Sequence, residues 1–452
     1  MAKGKSKKIT LEEALVPVDE QPYQVPENWC WVRVGSLCNF IGGGTPSKNN
    51  EDFWDGDIPW ASVKDIKGDY LYSTIDCISE EGKNNSATNL CEINDLLFVT
   101  RIEPGKTIIS RIETTINQDL KIVKSSLDSR YLHYYFKTFK NEFLLKSSGS
   151  TVKGITIDNV ANTEFPLAPL KEQQRIVEQI ENLFSKLDEA KEKAQAVLEG
   201  FETRKAAILH KAFEGALTSQ WRKDNNICMN TWKKMSLKEC GRWFGGGTPA
   251  TGVAAYWDNG NIPWITSKDM KDRIIDDSLM HITMNGVENS SANYCKEPSV
   301  LFVMRSGILR RAFPVSMTKK PFTINQDLKA CVPSGINQEY LYWFCTGYEK
   351  DIRDKCMKSG TTVESVEAKK LMNYEIFVAS ENEQIEIVRR IEFLLNKEEE
   401  AKKAAENVID GIELIKKSIL AKAFRGELGT NNSKDGNAIE LLKCILDEAK
   451  EN

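Results

Sequence analysis

The residues whose types and spacing most suggest chemistry are glycines. Phe40-Ile41-Gly42-Gly43-Gly44 fits the F-x-G-x-G pattern of a loop that cradles S-adenosylmethionine, where glycines let the backbone approach a ligand closely. A base-methylating enzyme needs more. An amino methyltransferase requires an N/D-P-P-Y/F motif to hold the flipped base, and the chain contains no Pro-Pro. A cytosine methyltransferase requires a Pro-Cys nucleophile, and no cysteine follows a proline. The plainer reading is a tight turn whose exit is fixed by Thr45-Pro46. Gly105-Lys106-Thr107 ends like a phosphate-binding loop, but Thr100 stands where the first glycine is required. His133, His210 and His281 are far apart and show no metal-ligand spacing. The eleven cysteines form no C-x-x-C pair and read as reduced thiols of a cytoplasmic protein.

Composition narrows the class without choosing a function. At 452 residues the chain is long enough for about three domains. With 41% hydrophobic and 28% charged residues it is ordinary globular material. A formal charge of −4 excludes a uniformly basic coat for nucleic acid and little else. The basic start, Lys3 to Lys8, is not followed by an apolar core, so no signal peptide is expected. No run approaches the ~18 apolar residues of a membrane helix, and no membrane partner is expected.

An internal repeat sets the architecture. Gly42-Gly43-Gly44-Thr45-Pro46 recurs as Gly245-Gly246-Gly247-Thr248-Pro249, Trp54-Asp55 as Trp257-Asp258, and Ile58-Pro59-Trp60 as Ile262-Pro263-Trp264. Leu97-Phe98-Val99 recurs as Leu301-Phe302-Val303, followed two residues later by Arg101 or Arg305. Ile116-Asn117-Gln118-Asp119-Leu120-Lys121 recurs intact at 324–329, and Lys211-Ala212-Phe213 recurs as Lys422-Ala423-Phe424. The offset between copies grows from 203 to 211, as insertions in loops would produce. The chain is a tandem duplication.

Each copy has two parts. The first is rich in tryptophan, glycine and short β-favouring runs at 96–100, 107–110, 120–123, 300–304 and 328–332. A helix follows, capped by Asp128 or Ser129, with Leu132, Tyr135, Phe136 and Phe139 on one face and a counterpart at 338–357. This mixture predicts a compact α+β domain. The second part carries a heptad. In copy one it runs Ile176, Ile180, Leu183, Leu187, Ala190, Ala194, Val197, Phe201 and Ile208, broken by Arg204. In copy two it runs Ile387, Ile391, Leu394, Ala401, Ala405, Val408, Ile412, Ile415 and Ile419, broken by Glu398. Such spacing predicts two helices of roughly 40 residues, about 60 Å each at ~1.5 Å per residue, pairing as a coiled coil. Heptads leave the direction open; an antiparallel pair, with a globular domain at each end of a rod, is the favoured arrangement. Ser380 and Glu383 predict a capping box at the second helix, Pro169 a first-turn residue for the first helix, and Gly215 and Gly426 the C-caps. The expected boundaries are an N-terminal segment 1–25, globular domains 26–168 and 218–378, helices 169–217 and 379–428, and a tail 429–452 with a short amphipathic helix through Ile439, Leu442 and Ile445.

The scaffold repeats but the loops do not. Text between Gly68 and Cys91 bears little relation to that between Asp272 and Cys295. The stretch between Ile102 and Thr115 differs from that between Ser306 and Thr323, where Arg310, Arg311, Lys319 and Lys320 cluster. A shared scaffold with divergent loops suits reading two versions of one kind of ligand, and neutral drift after duplication would look the same.

The order Gly-Gly-Gly-Thr-Pro, Trp-Asp, Ile-Pro-Trp and Asn-Gln-Asp-Leu, met twice, with Pro-Leu-Ala-Pro-Leu-Lys-Glu-Gln at 166–173 leading into the helix, resembles the specificity subunit of type I restriction-modification enzymes over about 25–428. The resemblance implies two target recognition domains joined by an antiparallel coiled coil, with no catalytic activity on this chain. It implies double-stranded DNA as ligand and two methyltransferase subunits, carrying S-adenosylmethionine, as partners. Through them it implies ATP-driven restriction subunits. Base edges in the major groove carry the sequence code, whereas phosphate contacts position without specifying. Residues identical in both copies are therefore expected to be scaffold or phosphate contacts: Lys64, Lys121, Lys268 and Lys329. Those that differ are candidate base readers: Lys106, Arg111, Arg310 and Arg311. Arg101 and Arg305 are shared and fit either role. Two other classes stay open: a coiled-coil scaffold without DNA readout, which suits the acidic balance of 26–168, and a stand-alone DNA methyltransferase.

Overall fold

A computed structural model describes residues 9–148, 152–358 and 363–451. The chain divides into two compact units, residues 1–194 with 407–452 and residues 195–406.

In the first unit the run Leu96–Val99 is buried at every position because it lies inside a sheet covered on both faces. The strand order is Asn39–Gly42, Leu120–Lys124, Leu96–Val99, Thr107–Ser110 and Tyr70–Leu71, antiparallel except for the last pair. The period of two then sorts side chains between two cores. Leu96, Phe98, Ile109 and Val123 pack on one face with Tyr131, Tyr135 and Phe136. Leu97, Val99, Ile108 and Ile122 face the other way, onto Ala61 and Ile116. Those two belong to a second sheet, Asp76–Ile78, Ile58–Ala61, Thr114–Ile116 and Leu90–Cys91. The helix Ser129–Thr138 starts at Asp128, whose carboxylate accepts the Arg130 N–H at 2.8 Å, and buries Leu132, Tyr135 and Phe136 as its apolar face requires. A third element, the pair Cys30–Arg33 with Glu164–Leu167, brings both ends of the domain together.

The second unit repeats this plan: Gly241–Gly245, Leu328–Pro333, Ser299–Val303 and Val315–Thr318 in one sheet, His281–Ile282, Ile262–Ile265 and Thr323–Ile324 in another, and Lys233–Ser236 paired with Glu375–Val378. The helix expected over 338–357 is two, Gln338–Gly347 and Glu349–Cys356, turning at Tyr348.

The long helices are Leu170–Glu199, Phe201–Phe213 and Glu381–Ala423. The first is interrupted at Gly200, where a single helix was expected. The guanidinium of Arg204 reaches back to the Val197 carbonyl at 2.8 Å, and only a residue without Cβ leaves it room. Within the first unit, Lys416 meets Asp188 at 2.5 Å and lies over the Phe184 ring, and Lys191 meets Glu413 at 3.3 Å. Within the second, Arg204 meets Glu398 at 2.6 Å and Lys402 lies over Phe201. Numbers rise on one helix as they fall on the other, so the helix segments in each unit run antiparallel. The two residues that break the heptads are thus each other's partners.

The seam differs in detail from the expected one. Ile176, Ile180, Ile387, Ile391 and Ile412 are buried, and Leu183, Leu187, Val197, Phe201, Ile208, Leu394 and Ile419 are half-buried. Val408 and Ile415 are 45% and 48% exposed, while Ile409 and Lys416 turn inward and Phe184 and Leu420 are buried. Choosing apolar residue types misplaced the stripe by one residue, because the aliphatic stem of Lys416 covers apolar surface as well as an isoleucine would.

The helix entries also differ from expectation. The first helix begins at Leu170, so Pro169 stands one residue before the first turn. The Ser380–Glu383 capping box does not form. Glu383 is fully buried and its carboxylate accepts Arg222 at 2.5 Å, Thr218 at 2.8 Å and the Trp232 indole at 2.9 Å. Glu172 does the equivalent in the first unit, accepting the Trp29 indole at 2.8 Å and Asn431 at 2.9 Å. Next to each, Gln173 and Gln384 donate to Ala168 and Ala379 carbonyls, both at 2.8 Å. Gly215 and Gly426, at φ +77° and +74°, end the helices as expected. The tail helix Ala438–Glu451 buries Ala438, Leu442 and Ile445 in the core of the first unit, and Ala14 of the N-terminal segment joins them. Among the described residues, no helix is long and apolar enough to cross a membrane.

Glu383→Gln leaves the buried Arg222 guanidinium without a counter-charge and should cost about 3 kcal/mol or more. Glu172→Gln keeps a carbonyl oxygen for Trp29 and Asn431 and should cost about 1 kcal/mol or less. Chemical denaturation of the two variants measures the contrast, and equal losses would contradict it.

Candidate functional site

The repeated residues converge in each unit on one construction. The Gly44 amide donates to the Ile116 carbonyl at 2.9 Å, and the Gly247 amide to that of Ile324 at 3.1 Å. A Cβ on Gly43 or Gly246 would collide with the carbonyl of Ile116 or Ile324. Gly43 and Gly246 are needed for close approach of the protein's own backbone, and the amides of Gly44 and Gly247 are spent on that backbone. The indole of Trp60 then donates to the Gly44 carbonyl and that of Trp264 to the Gly247 carbonyl, both at 3.0 Å. Trp54 stands edge-on to Trp60 with ring centroids 5.0 Å apart, and Trp257 to Trp264 at 5.1 Å. Thr45 donates to Gln118, and Thr248 to Gln326. Asn117 and Asn325 are buried, each accepting the amide of the aspartate two residues on, at 3.1 Å.

In the first unit this construction helps to line a cleft of about 680 Å³, where Trp54, Trp60 and Gln118 are joined by Lys48 and Lys64 and by the carboxylates of Glu51, Asp55, Asp76 and Asp119. Arg101 lies against Asp119 at 3.4 Å and is exposed. Lys121 is half-buried on the strand beside Gly42, and Lys329 sits beside Gly245 in the same register. Lys64 and Lys268 are exposed on matching turns. None of Lys64, Lys121, Lys268, Lys329, Arg305 and Arg311 forms an ion pair with another described residue. The remaining candidates are engaged. Lys106 pairs with Glu103 at 3.0 Å, Arg310 pairs with Glu364 at 2.6 Å, and Arg111 lies 4.4 Å over the Tyr70 ring while donating to Asn94. Tyr70 also reaches Glu181 of the long helix, so Arg111 stands on a different part of the domain from the cleft. Lys48, Thr45 and Gln118 were not singled out from the sequence as site residues. Repetition of the Thr-Pro and Asn-Gln-Asp text was the signal for the latter two; Lys48 has Thr251 at the corresponding place and gave none.

A hydroxyl, an imidazole and a carboxylate do line up elsewhere. Thr107 meets His133 Nδ1 at 2.9 Å, and His133 Nε2 meets Asp69 at 3.2 Å. Because Asp69 also receives Lys137, it is the acceptor, so Nε2 carries the proton and Nδ1 accepts from Thr107. Thr107 is only 4% exposed and its hydroxyl is spent on the ring, so the string ties strand to helix rather than presenting a nucleophile. Burial pushes the Cys30, Cys38, Cys91, Cys240 and Cys331 thiols up to about 12, which keeps them protonated. Among the described residues no cluster of His, Cys, Asp or Glu is placed to hold a metal.

The chain is thus an α+β protein in which one domain plan is built twice. Residues 26–199 and 229–409 match the family described as the type I restriction modification DNA specificity domain, and the chain belongs to that family. It is 38% identical over 169 residues to the EcoR124I/EcoR124II specificity subunit of Escherichia coli, a match spanning 36% of this chain and 41% of that relative. It is 23% identical to the EcoKI specificity subunit of Escherichia coli K12 over 90% of both chains. The fold is similar to the crystal structure of the HsdS subunit from Thermoanaerobacter tengcongensis, with a TM-score of 0.65, 19% identity, and coverage of 91% of this chain and 100% of that one.

Two outcomes follow from this geometry. Gly43→Ala forces apart the turn and the Asn117 loop and should cost about 2 kcal/mol or more. Gly42→Ala meets only the movable Lys121 ammonium and should cost under about 1 kcal/mol, as denaturation midpoints would show. The second concerns pH. Burial lowers the His133 pKa. Burial alone would raise Asp69, but hydrogen bonds from His133 and Lys137 hold its carboxyl well below the usual range. Both groups therefore bind protons more readily when unfolded. Their stabilisation is present above about pH 6.5 and declines as pH falls, through His133 first and then Asp69 below about pH 4. Denaturation at pH 7 and pH 5 should show this decline in the wild type and a flatter profile in His133→Asn.

Proposed function

We propose that the chain is the sequence-reading, non-catalytic subunit of a type I restriction-modification complex in the cytoplasm. Each unit reads one half of a bipartite duplex target, and the long helices, paired as an antiparallel coiled coil, set the gap between the halves. Two methyltransferase subunits supply S-adenosylmethionine, and restriction subunits supply ATP-driven steps. The observation that carries this reading is the same glycine, tryptophan and Asn-Gln-Asp construction built twice, with lysines at matching places that form no ion pair with another described residue and divergent loops around them. Equal positioning with unequal reading is what two unlike half-sites demand.

Lys64, Lys121, Lys268 and Lys329 are the proposed phosphate contacts, Arg311 is a proposed base reader and Arg305 fits either role; none of the six forms an ion pair with another described residue. Arg101 is held by Asp119 at the edge of the cleft. Lys106, Arg111 and Arg310 would have to exchange an existing partner for DNA. The antiparallel ion pairs within each unit support the coil.

Selection from a random duplex library by the complex with its methyltransferase subunits should enrich two short unlike motifs at one spacing. Removing one matched heptad from each long helix shortens the rod by about 10 Å, so the spacing should contract by about 3 base pairs or recognition should be lost. Unchanged spacing would refute the coil as a ruler. No enrichment by an intact complex would refute DNA reading and favour a protein scaffold.

A further inference from the structure

Two exposed aliphatic side chains are held at the same place in both units. In the first, Asp65 is buried and its Oδ2 accepts the amide of Ser62 at 2.8 Å and its hydroxyl at 3.0 Å, while Oδ1 accepts the Ile75 amide at 2.8 Å. In the second, Asp269 accepts the amide and hydroxyl of Thr266 and the amide of Leu279, all at 2.8 Å. The residue before each aliphatic one completes the clamp. Thr74 donates to the Asp76 carbonyl at 2.9 Å, and Ser278 to that of Met280 at 2.6 Å. The backbone of Ile75 and of Leu279 is thus fixed on both sides, and the side chains are 63% and 73% exposed.

The intervening loops have the same length and almost no common text, Ile66 to Thr74 against Met270 to Ser278. Single exposed apolar side chains are ordinary on a protein surface; what sets these two apart is that the same aspartate clamp fixes both while the loop text leading to them differs. The neighbours say what it meets. Lys64 and Lys268 lie on the same aspartate-capped turns, exposed and without an ion pair to another described residue. Asp76, adjacent to Ile75, lines the cleft with Lys64. An exposed apolar tip whose backbone is tied to the residue after an exposed lysine fits duplex DNA, whose phosphates take the lysine and whose major groove presents one apolar feature, the thymine 5-methyl group.

We propose that Ile75 and Leu279 are specificity-determining contacts, each packing on a thymine methyl in the half-site read by its own unit. This inference rests on the DNA-reading function proposed above. Asp65 and Asp269 are positioning residues that hold the tips. The difference between Ile and Leu changes the shape of the tip while its anchor stays the same, so the two units can prefer different base steps.

The test uses the complete complex and its selected target, with each thymine replaced in turn by deoxyuridine, which lacks only the methyl. The wild type should lose roughly three- to tenfold in affinity at one position in each half. Ile75→Ala should abolish the thymine-uracil difference in one half and leave the other intact, and Leu279→Ala should do the reverse. Because neither change removes a charge, the salt dependence of binding should stay the same. Both residues are mostly exposed, and an unchanged melting temperature confirms that the variants fold. Uracil sensitivity that is absent, or that persists in the variants, overturns the inference while a bipartite motif still stands. Loss of partner subunits from the variant complex overturns it in favour of a protein contact. A wild-type complex that selects no motif overturns the underlying DNA reading instead.

Discussion

A carboxylate buried in the first turn of each long helix is the interaction on which the rest depends. Glu172 and Glu383 are both fully buried, at the end of a helix where backbone amides favour negative charge. Each gathers three pieces of chain that are remote in sequence: the helix itself, the tryptophan before the first strand of a domain, and the segment that follows the other long helix. Trp29 with Thr430 and Asn431 answer Glu172; Trp232 with Thr218 and Arg222 answer Glu383. A buried charge tolerates few alternative arrangements, because each lost partner leaves a desolvated group. In the second unit that intolerance fixes the long helix against the sheets through Arg222, whereas in the first the same place is held by neutral hydrogen bonds to Glu172.

The domains built on those anchors use glycine, indole and amide to hold a polar construction where charged side chains can stand uncommitted at its margin. The arginines and lysines of the chain divide accordingly. Those that finish the fold are paired, as Arg222 and Arg204 are; several at the repeated construction are not. The overall charge of −4 does not describe the cleft itself, where Lys48 and Lys64 stand among Glu51, Asp55, Asp76 and Asp119.

Much of this was legible beforehand. The sequence pointed to strands at 96–100 and 328–332, found at Leu96–Val99 and Leu328–Pro333, to a cap at Asp128 or Ser129, found at Asp128, and to the stops at Gly215 and Gly426. These signals are local or periodic, and local text carries them. The misreadings share a cause. Ser380 and Glu383 have the spacing of a capping box, but Glu383 is claimed by Arg222, 161 residues away in sequence. Val408 and Ile415 have the residue type of a seam, but the facing helix put Ile409 and Lys416 there. The expected unbroken first helix stops at Gly200 because Arg204 competes for the Val197 carbonyl.

The sequence alone determined the tandem plan, the α+β class and the presence of two long amphipathic helices, since repetition, alternation and heptad spacing are properties of neighbouring residues. It also determined the family, because the motifs occur in one order, twice. Only the tertiary structure decided which charges are free, which aliphatic residues are pinned outward at Ile75 and Leu279, and which carboxylates organise the helix entries. Those outcomes depend on what reaches a residue from distant parts of the chain. A lysine, an isoleucine or a glutamate reads the same in one-dimensional text whether its partner is water, a ring or a buried guanidinium.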